Sequence, residues 1–466
     1  MVDKITLTNL VNLTNQTTAV NAINSNNAIL TTAMDNTLSR DGTQPNTMSA
    51  TLDMNSNRII NLPSATSTTE PITLSQFNSM IASTQVPNGL VSVGVPVSAA
   101  MQPIVNSSTL VAAGIQLTPQ MFGALGNGVA DDTTALQNWI NAIQSTKNPG
   151  LFTAGVYNIS STLNITAACT IKGAGSNLAA AIIPSPSITA LSINTTQTVH
   201  LESFTIQYNS PALTGTVGLS KTSPIGTQSL YDRFINIVIF NAFTAMAIDR
   251  CVSYVIDQML INTTGANAII IANTFNVDNG DGCVTNCTFV AIGADAILYT
   301  SGGGLKVSNI KVSTAGQGVV LDISSGVVSG DLLVTNSSFE GITGSSILLE
   351  RQTNSGSWIN VLVNNCEFES NYGIVVSTDT SSWLSNLTAS NNIWVGTSIA
   401  NSTMYSIDST INISIIGGTA TAGGGTTPRK FIIGSGVSTG VIGAISGSGF
   451  TSSINSGTGV TTIAPF

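Results

Sequence analysis

Two glutamates, Glu340 and Glu369, stand at matching places in a repeating sequence pattern. Each directly follows a phenylalanine, Phe339 or Phe368, that closes a unit of one small polar residue, two further residues and one bulky apolar residue. If successive units stack as neighbouring strands about 4.8 Å apart, both carboxylates occupy the same outward position. One carboxylate would then raise the pKa of the other. Glu367 shares the outward face of Glu369 and completes the densest acidic patch of the repeating region.

Paired carboxylates are the chemistry of glycoside hydrolysis, in which one carboxyl is the general acid and the other is the nucleophile or base. We therefore predict Glu340, Glu369 and Glu367 as catalytic residues, although such a patch also suits a bound cation or simple exposure to solvent. The repeating region is poor in Lys and Arg, which favours a hydrolase over a lyase that needs a basic residue. Four further acids are isolated in the sequence: Asp295, Asp322, Glu350 and Asp379.

Tryptophans are the aromatic residues best suited to stack on sugar rings. Trp358 and Trp383 are predicted to bind substrate, because neither falls on the apolar position of the repeating unit. Trp394 does fall on that position, so we expect it in the core.

Other catalytic and metal chemistries find little support. His200 is the sole histidine and is expected to form a surface pair with Glu202, two residues away on a strand. Cys283 and Cys287 are spaced as two metal ligands might be, but His200 is distant and no second cysteine pair exists. Five cysteines in a long chain are better explained as buried free thiols. We predict neither a metal nor a cofactor.

Composition narrows the class of protein. Only 8% of the 466 residues are charged, and Gly, Ser, Thr and Asn are abundant, which suits repetitive β-structure with polar turns. The net charge of −9 disfavours nucleic-acid binding. No apolar run reaches the roughly 18–20 residues of a membrane span, so no membrane insertion is expected. The N-terminal residues lack the pattern of a signal peptide.

The repeating unit itself predicts the architecture. It begins at Ser203, Asn236, Asp257, Asn286, Asn309, Asn336, Asn365, Asn391 and Asn412. Each step fits one coil of a parallel β-helix, whose stacking buries a continuous apolar column. The repeated asparagines are predicted to form a structural ladder of side-chain hydrogen bonds at one corner.

Residues 118–180 carry the strongest motif. Its parts are Gly126-Asn127-Gly128, Asp131-Asp132-Thr133, a helical run with Leu136, Trp139 and Ile140, Ala154-Gly155-Val156-Tyr157, and Gly173-Ala174-Gly175. This order resembles the opening of pectate-lyase-like right-handed β-helix proteins, which include phage tailspikes and many polysaccharide-degrading enzymes. Thr153 departs from the proline usual in that family. We expect Asp131 or Asp132 to cap the helix, and the helix to close the end of the coil.

The first 40 residues predict a helix with a weak seven-residue repeat at Leu13, Val20, Asn27 and Met34. A polar seam of this kind suits either a coiled coil whose register Asn27 fixes or a helix packed on another protein. Both alternatives stay open.

Residues 36–77 form a second recognisable block. It contains Leu38 to Gly42, Leu52 to Asn55, Arg58 to Pro63, and Glu70-Pro71 to Leu74. The block resembles the N-terminal adaptor segment of tail fibre and tailspike proteins of short-tailed phages. The resemblance implies attachment to the virion through a tail or adaptor protein. Without it, the block would be only a small β-rich module with a turn at Asn55-Ser56-Asn57.

These observations predict an all-β chain built on a right-handed parallel β-helix. Residues 1–77 form a virion-attachment region, 78–117 a neck, 118–416 the β-helix, and 417–466 a Gly/Ser-rich cap or trimeric tip. The resemblance implies a homotrimeric phage tailspike or tail fibre, located in the virion tail and assembled in the host cytoplasm. Two functions compete: binding of a host surface polysaccharide as a receptor-binding protein, and its depolymerisation.

Overall fold

The structure is a computed structural model with two compact units, Met1–Gly94 and Val95–Phe466. It describes residues 7, 9, 14–35, 55–56, 61, 63–67, 73, 75–76, 116–175, 179–272, 281–300, 303–323, 328–351, 357–377, 384–396, 402–408, 410–421, 428–447, 450 and 453–463.

The first unit contains one described helix, α1 (Gln16–Asp35), inside the predicted helical segment. Asn15 precedes it, and its Oδ1 accepts a hydrogen bond from the Thr18 N–H at 3.2 Å, as an N-cap residue does. Val20 and Met34 of the predicted seam are exposed along α1. Whether this seam pairs with another helix stays a prediction.

Most of the adaptor-like block lies outside the described residues, as does the neck up to residue 115. Asn55 and Ser56 form a turn with positive φ angles of 44° and 68°, as the sequence predicted. Close by in sequence, the Gln76 side chain ties two segments together: its Oε1 accepts from the Ala65 N–H at 3.1 Å.

The second unit contains two long parallel sheets, named A and B. Sheet A comprises β2 (Gly150–Phe152), β5 (Cys169–Gly173), β8 (Val199–Glu202), β12 (Arg233–Ile235), β16 (Val255–Asp257), β19 (Gly282–Thr285), β22 (Leu305–Ser308), β25 (Val328–Thr335), β27 (Ser357–Asn364), β29 (Leu384–Ser390), β32 (Thr410–Ile416), β35 (Thr439–Ile442) and β37 (Val460–Thr462).

Sheet B comprises β1 (Asn127–Asp131), β3 (Gly155–Ile159), β4 (Leu163–Ile165), β6 (Ala180–Pro184), β7 (Leu191–Asn194), β9 (Thr205–Gln207), β10 (Val217–Thr222), β13 (Val238–Phe240), β14 (Thr244–Asp249), β17 (Leu260–Thr264), β18 (Ile269–Ala272), β20 (Thr288–Ile292), β21 (Asp295–Tyr299), β23 (Lys311–Ala315), β24 (Gln317–Ile323), β26 (Ser338–Arg351), β28 (Glu367–Val376), β30 (Ile393–Gly396), β31 (Thr403–Ile407), β33 (Thr419–Thr421), β34 (Arg429–Ile433) and β36 (Ile454–Asn455). A small pair, β11 (Ser229–Leu230) and β15 (Cys251–Val252), completes the set.

Most coils contribute one strand to sheet A and then two consecutive strands to sheet B, and the strands pair in parallel with those of the next coil. The step from β22 through Asn309 to β23 is typical: β22 pairs with β19 and β25, and β23 with β20 and β26. The stacked coils form a parallel β-helix, so the predicted fold class is confirmed.

The corner between the sheets is a single residue in the left-handed conformation, which asparagine tolerates better than most residues. The corners with positive φ are Ser203, Asn236, Gln258, Asn286, Asn309, Asn336, Asn365, Asn391 and Gly417. Main-chain bonds join successive corners, as when the Asn309 N–H donates to the Thr335 carbonyl at 3.1 Å. The predicted register was wrong at two places: Gln258, not Asp257, forms its corner, and Gly417 replaces Asn412.

Asn412 lies instead inside β32, where it belongs to a second amide ladder on sheet A. Its Nδ2 donates to Asn386 Oδ1 at 3.0 Å, and Asn386 in turn donates to Asn360 Oδ1 at 2.8 Å. At the corner, Asn309 Nδ2 donates to Asn286 Oδ1 at 2.5 Å, which confirms that neighbouring corner asparagines are bonded.

The core is the predicted apolar column inside the coils. Phe339 and Phe368 are fully buried, and their ring centroids are 5.8 Å apart on adjacent strands. Cys287 and Cys366 point inward as expected and are buried, and so is Trp394. This column holds the coils in one register, because a slip of one residue would turn its apolar set toward solvent.

A helix, α2 (Thr133–Thr146), covers the first coils, preceded by the short 3₁₀ helix η1 (Pro119–Phe122). The buried Trp139 ring of α2 stacks on Phe152 of β2 at 5.6 Å. Trp139 Nε1 also donates to the Leu117 carbonyl at 2.8 Å. The helix therefore supplies the apolar surface that the coil needs at this end, as predicted.

The two aspartates before α2 serve the loops more than the helix. Asp132 is the N-cap residue, but its carboxylate accepts from the N–H groups of Leu125 and Gly126 at 2.7 and 3.0 Å. Asp131 accepts from Thr133 N and from Ser160 Oγ, and these hydrogen bonds hold the pKa of Asp131 below its usual value. Both carboxylates are thus occupied by structural contacts.

Beyond Gly417 the described strands continue the coil. β35 pairs in parallel with β32 on one side and with β37 on the other, and β34 pairs with β31 and β36. These pairings extend the coil through the described residues of this segment, and the choice between a cap and a trimeric tip stays a prediction.

Candidate functional site

A groove of about 670 Å³ runs along the corner between the two sheets. It crosses five successive coils, because it is lined by five consecutive corner asparagines and their neighbours. The lining residues are Asn286, Cys287, Thr288, Asn309, Ile310, Lys311, Asn336, Ser337, Ser338, Asn365, Cys366, Glu367, Asn391 and Ile393. With coils about 4.8 Å apart, the groove extends about 19 Å parallel to the axis of the β-helix.

The asparagine side chains of the groove are exposed to solvent. The left-handed corner and its main-chain bonds fix their positions, so they form a preorganised row of amides. Each amide offers two donors and one acceptor oxygen, and only part of this capacity is used between neighbours. Asn365 Nδ2, for instance, reaches Asn336 Oδ1 at 3.4 Å, a long hydrogen bond. The row can therefore bind a linear ligand rich in hydroxyl groups.

The predicted carboxylates lie at or beside this groove. Glu367 lines it, and Glu367 is the register partner of Ser338. Glu340 and Glu369 follow the register-paired Phe339 and Phe368, so the structure does place them on adjacent strands.

A β-bulge interrupts the pairing of β26 with β28 just after these glutamates. Phe339 pairs with Phe368 and Ile342 with Ser370, so β26 has one more residue than β28 between these two pairs. The Glu340 carboxylate forms an ion pair with Lys311 Nζ at 3.0 Å and is 41% exposed. Lys311 is itself a groove residue, so Glu340 fixes the one cation of the groove lining.

The structure describes only one of the two tryptophans that were predicted to bind substrate. Trp358 lies in β27, where its backbone pairs with Ser329 and Leu384. Trp383 lies outside the described residues. Their role in binding substrate stays a prediction, whereas Trp394 is buried in the core as expected.

A second acidic cluster was missed from the sequence, where its members look isolated. Asp322 and Glu350 are direct register partners on β24 and β26. Burial raises the pKa of Glu350, and the charges of Asp322 and Asp295 raise it further. Burial and the charge of Asp322 also raise the pKa of Asp295. The available signal was the shared position of Asp322 and Glu350 in successive coils, about fourteen residues after their corners.

The raised pKa of Glu350 predicts how the stability of the fold depends on pH. The folded protein holds this proton more tightly than the unfolded chain, whose glutamates titrate near pH 4.3. Ionisation of Glu350 therefore opposes folding, and its penalty appears as pH rises through the folded pKa. We expect Glu350→Gln to raise the thermal midpoint at pH 7 and leave it unchanged near pH 4. Glu340→Gln is the matched control, and an equal rise in both variants would contradict the assignment.

The remaining candidate chemistries are structural. Glu202 lies 3.6 Å from His200 Nε2 and 2.8 Å from Lys172 Nζ, which confirms a surface pair. Burial raises the pKa of Cys287 to about 12, so this thiol is unreactive. Among the described residues, no three acidic, histidine or cysteine side chains converge as metal ligands. No helix of the described segments is long and apolar enough to cross a membrane.

This chain is similar to known proteins in its fold and, over part of its length, in its sequence. Residues 120–343 match the family model described as rhamnogalacturonase A/epimerase, pectate lyase-like. The capsule K30/K69-specific depolymerase of Klebsiella phage K64-1 is 39% identical over 87 residues, which are 19% of this chain and 11% of the depolymerase. The chain thus spans only about a tenth of that relative's length.

Among solved structures, the Dettilon tailspike protein superimposes with a TM-score of 0.53 and 12% identity, over 71% of this chain and 68% of the tailspike. The chain carries a pectate-lyase-like parallel β-helix of the kind found in a phage tailspike.

Proposed function

We propose that the protein is a bacteriophage tailspike or tail fibre that binds a host cell-surface polysaccharide. One observation carries the proposal: a groove about 19 Å long, lined by a regular row of exposed amides, lies along the coils. A polysaccharide is a linear ligand with regularly spaced hydroxyl groups, which such a row matches. The partial similarity to a phage capsule depolymerase and the fold shared with a phage tailspike support the same assignment.

The proposal includes the placement of the protein in the virion tail after assembly in the host cytoplasm. The adaptor-like residues 36–77 would join a phage tail protein, and the exposed seam of α1 would contribute to a homotrimer. Residues 1–77, 78–117, 118–416 and 417–466 would serve as attachment region, neck, glycan-binding β-helix and C-terminal segment.

Substitution of the groove amides tests the binding site. Glycine keeps the positive φ of a corner at no steric cost and removes the amide. We expect Asn309→Gly/Asn336→Gly to weaken binding to purified host polysaccharide by about tenfold or more, because at least two hydrogen bonds of about 1 kcal/mol each are lost. Binding is measured by surface plasmon resonance on the immobilised polysaccharide.

Asn241→Gly is the matched control. Asn241 has the same left-handed conformation, with a φ of 57°, at the turn between β13 and β14, and it does not line the groove. Equal affinity of the groove variant and the control would remove the groove from the proposal, provided that circular dichroism shows both variants folded.

Depolymerisation is the second candidate function, and the raised pKa of Glu350 beside Asp322 favours it. A general acid requires a carboxyl that stays protonated near the working pH, and a neighbouring carboxylate completes the pair. The other proposed catalytic carboxylates are those at the groove, named the groove set: Glu340, Glu367 and Glu369. New reducing ends from the purified polysaccharide, without absorbance from unsaturated sugars, would establish a hydrolase.

A further inference from the structure

A cluster of cations lies on the outer face of sheet A, away from the corner groove. Arg233 on β12 is the register partner of His200 on β8, and Lys172 on β5 is the partner of Glu202. Arg233 and Lys172 are exposed, and His200 is partly exposed between them. Within β5, β8 and β12, two cations and one carboxylate leave a net charge of +1 in a chain whose net charge is −9, and Asp257 on the adjoining β16 is the register partner of Ile235.

The electrostatics show that these groups face one another. Burial lowers the pKa of His200; Glu202 opposes this effect, whereas the charges of Arg233 and Lys172 add to it. The lowered pKa favours the neutral form of the imidazole at pH 7. Since Glu202 is bonded to Lys172 at 2.8 Å, it leaves the Arg233 guanidinium as the cation available to a ligand at this surface.

An exposed aromatic residue flanks the cluster. Tyr231 is two residues before Arg233 and is 64% exposed. Its φ of 61° is unusual for a bulky side chain, and such strained conformations concentrate at functional sites. The neighbouring Thr198 Oγ1 bonds the Leu230 carbonyl at 2.9 Å, which anchors the turn that presents Tyr231.

We propose that this face of β5, β8 and β12 binds the carboxylate of an acidic sugar in the host polysaccharide. Arg233 binds the carboxylate, and Tyr231 stacks on the sugar ring. A guanidinium matches the geometry of a carboxylate through two parallel hydrogen bonds. The inference deepens the proposed function by naming the glycan as acidic, and it rests on that function.

The test uses an array of purified bacterial capsular and O-antigen polysaccharides. Each is presented intact and after chemical reduction of its uronic acids to neutral sugars. We expect the wild-type protein to bind at least one uronic-acid polymer and to lose about tenfold or more in affinity when the carboxylates are reduced. Arg233→Gln should cause a similar loss on the intact polymer only.

Lys306→Gln is the matched control, because Lys306 is an exposed cation on the same sheet, three strands further along the column of Arg233. Tyr231→Asn, which keeps a residue tolerant of the left-handed conformation, should also weaken binding. Equal binding by Arg233→Gln and Lys306→Gln, or undiminished binding to the reduced polymer, would overturn the inference while leaving the groove proposal intact. Binding to no glycan at all would overturn both.

The single histidine gives an independent readout. A carboxylate bound beside Arg233 would favour the imidazolium form, so adding the acidic oligosaccharide should raise the pKa of His200 in an NMR titration. Glu202, Lys172 and Arg233 are the charged groups that face the imidazole. An unchanged His200 pKa at saturating ligand would place the carboxylate elsewhere.

Discussion

Asp232→Asn is expected to lower the free energy of unfolding by about 3–5 kcal/mol, because it breaks a fully buried ion pair. Neither the Lys221 nor the Asp232 side chain is exposed at all, and Lys221 Nζ lies 3.6 Å from Asp232 Oδ2. Removing one charge leaves the other buried without its counter-charge, and the protein interior compensates this poorly.

Hydrogen bonds around the pair show how it is held. The Asp232 carboxylate accepts from the Val199 N–H at 2.9 Å and from Ser229 Oγ at 2.5 Å. Lys221 Nζ donates to the Thr195 carbonyl at 2.6 Å. The pair therefore joins two successive coils, and asparagine keeps most of the shape while it removes the charge.

The double variant Lys221→Met/Asp232→Asn separates charge from packing. It removes both charges, so we expect it to regain part of the stability lost in Asp232→Asn. Glu202→Gln removes one charge from the exposed Lys172 pair and should cost less than about 1 kcal/mol. Guanidinium unfolding of all four proteins measures the differences. A cost for Asp232→Asn no larger than that of Glu202→Gln would contradict the ion-pair argument.

Glu350→Gln and Asp322→Asn are expected to lower the rate of polysaccharide cleavage by about 10²–10⁴-fold and to leave binding unchanged. Removing a general acid has an effect of this size, since proton donation to the leaving group is lost. Adjacent strands put the two residues about 4.8 Å apart at the backbone, which suits the close carboxyls of a retaining hydrolase. The measurement is the rate of reducing-end release beside the dissociation constant.

Glu340→Gln/Glu369→Gln is the decisive comparison. The two sets lie on the same strands, β26 and its neighbours, and the substitution has the same size and chemistry. Loss of cleavage only in this double variant would assign catalysis to the groove set, with Glu367 as the third carboxyl to test. Binding without cleavage by the wild-type protein would leave receptor binding as the function of both acidic surfaces.

The sequence alone determined the fold, because the motifs that define this β-helix are short segments of the chain. The Gly126-Asn127-Gly128 and Asp131-Asp132-Thr133 motifs predicted the start of the coil, and the repeating unit predicted its corner. Gly126 shows the physical reason: its φ is 58°, and a Cβ would meet the Tyr157 ring at 2.8 Å. Such positions accept almost no residue other than glycine, so they can be recognised from the sequence alone.

The predicted register of the corners was wrong where the sequence pattern is weak. Gln258 and Gly417 form corners without an asparagine, because main-chain hydrogen bonds fix the corner and the side chain is secondary. The neighbouring Asp257 and Asn412 look like the repeated residue but lie on strands.

Only the tertiary structure decided which distant residues share a surface. Asp322 and Glu350, or His200 and Arg233, are far apart in the chain and meet because coils of unequal length stack in register. The turns between strands vary in length, so sequence spacing does not fix which outward side chains become neighbours. Burial likewise separates the inert thiol of Cys287 from the half-exposed Glu340, since desolvation depends on the whole fold and not on the local sequence.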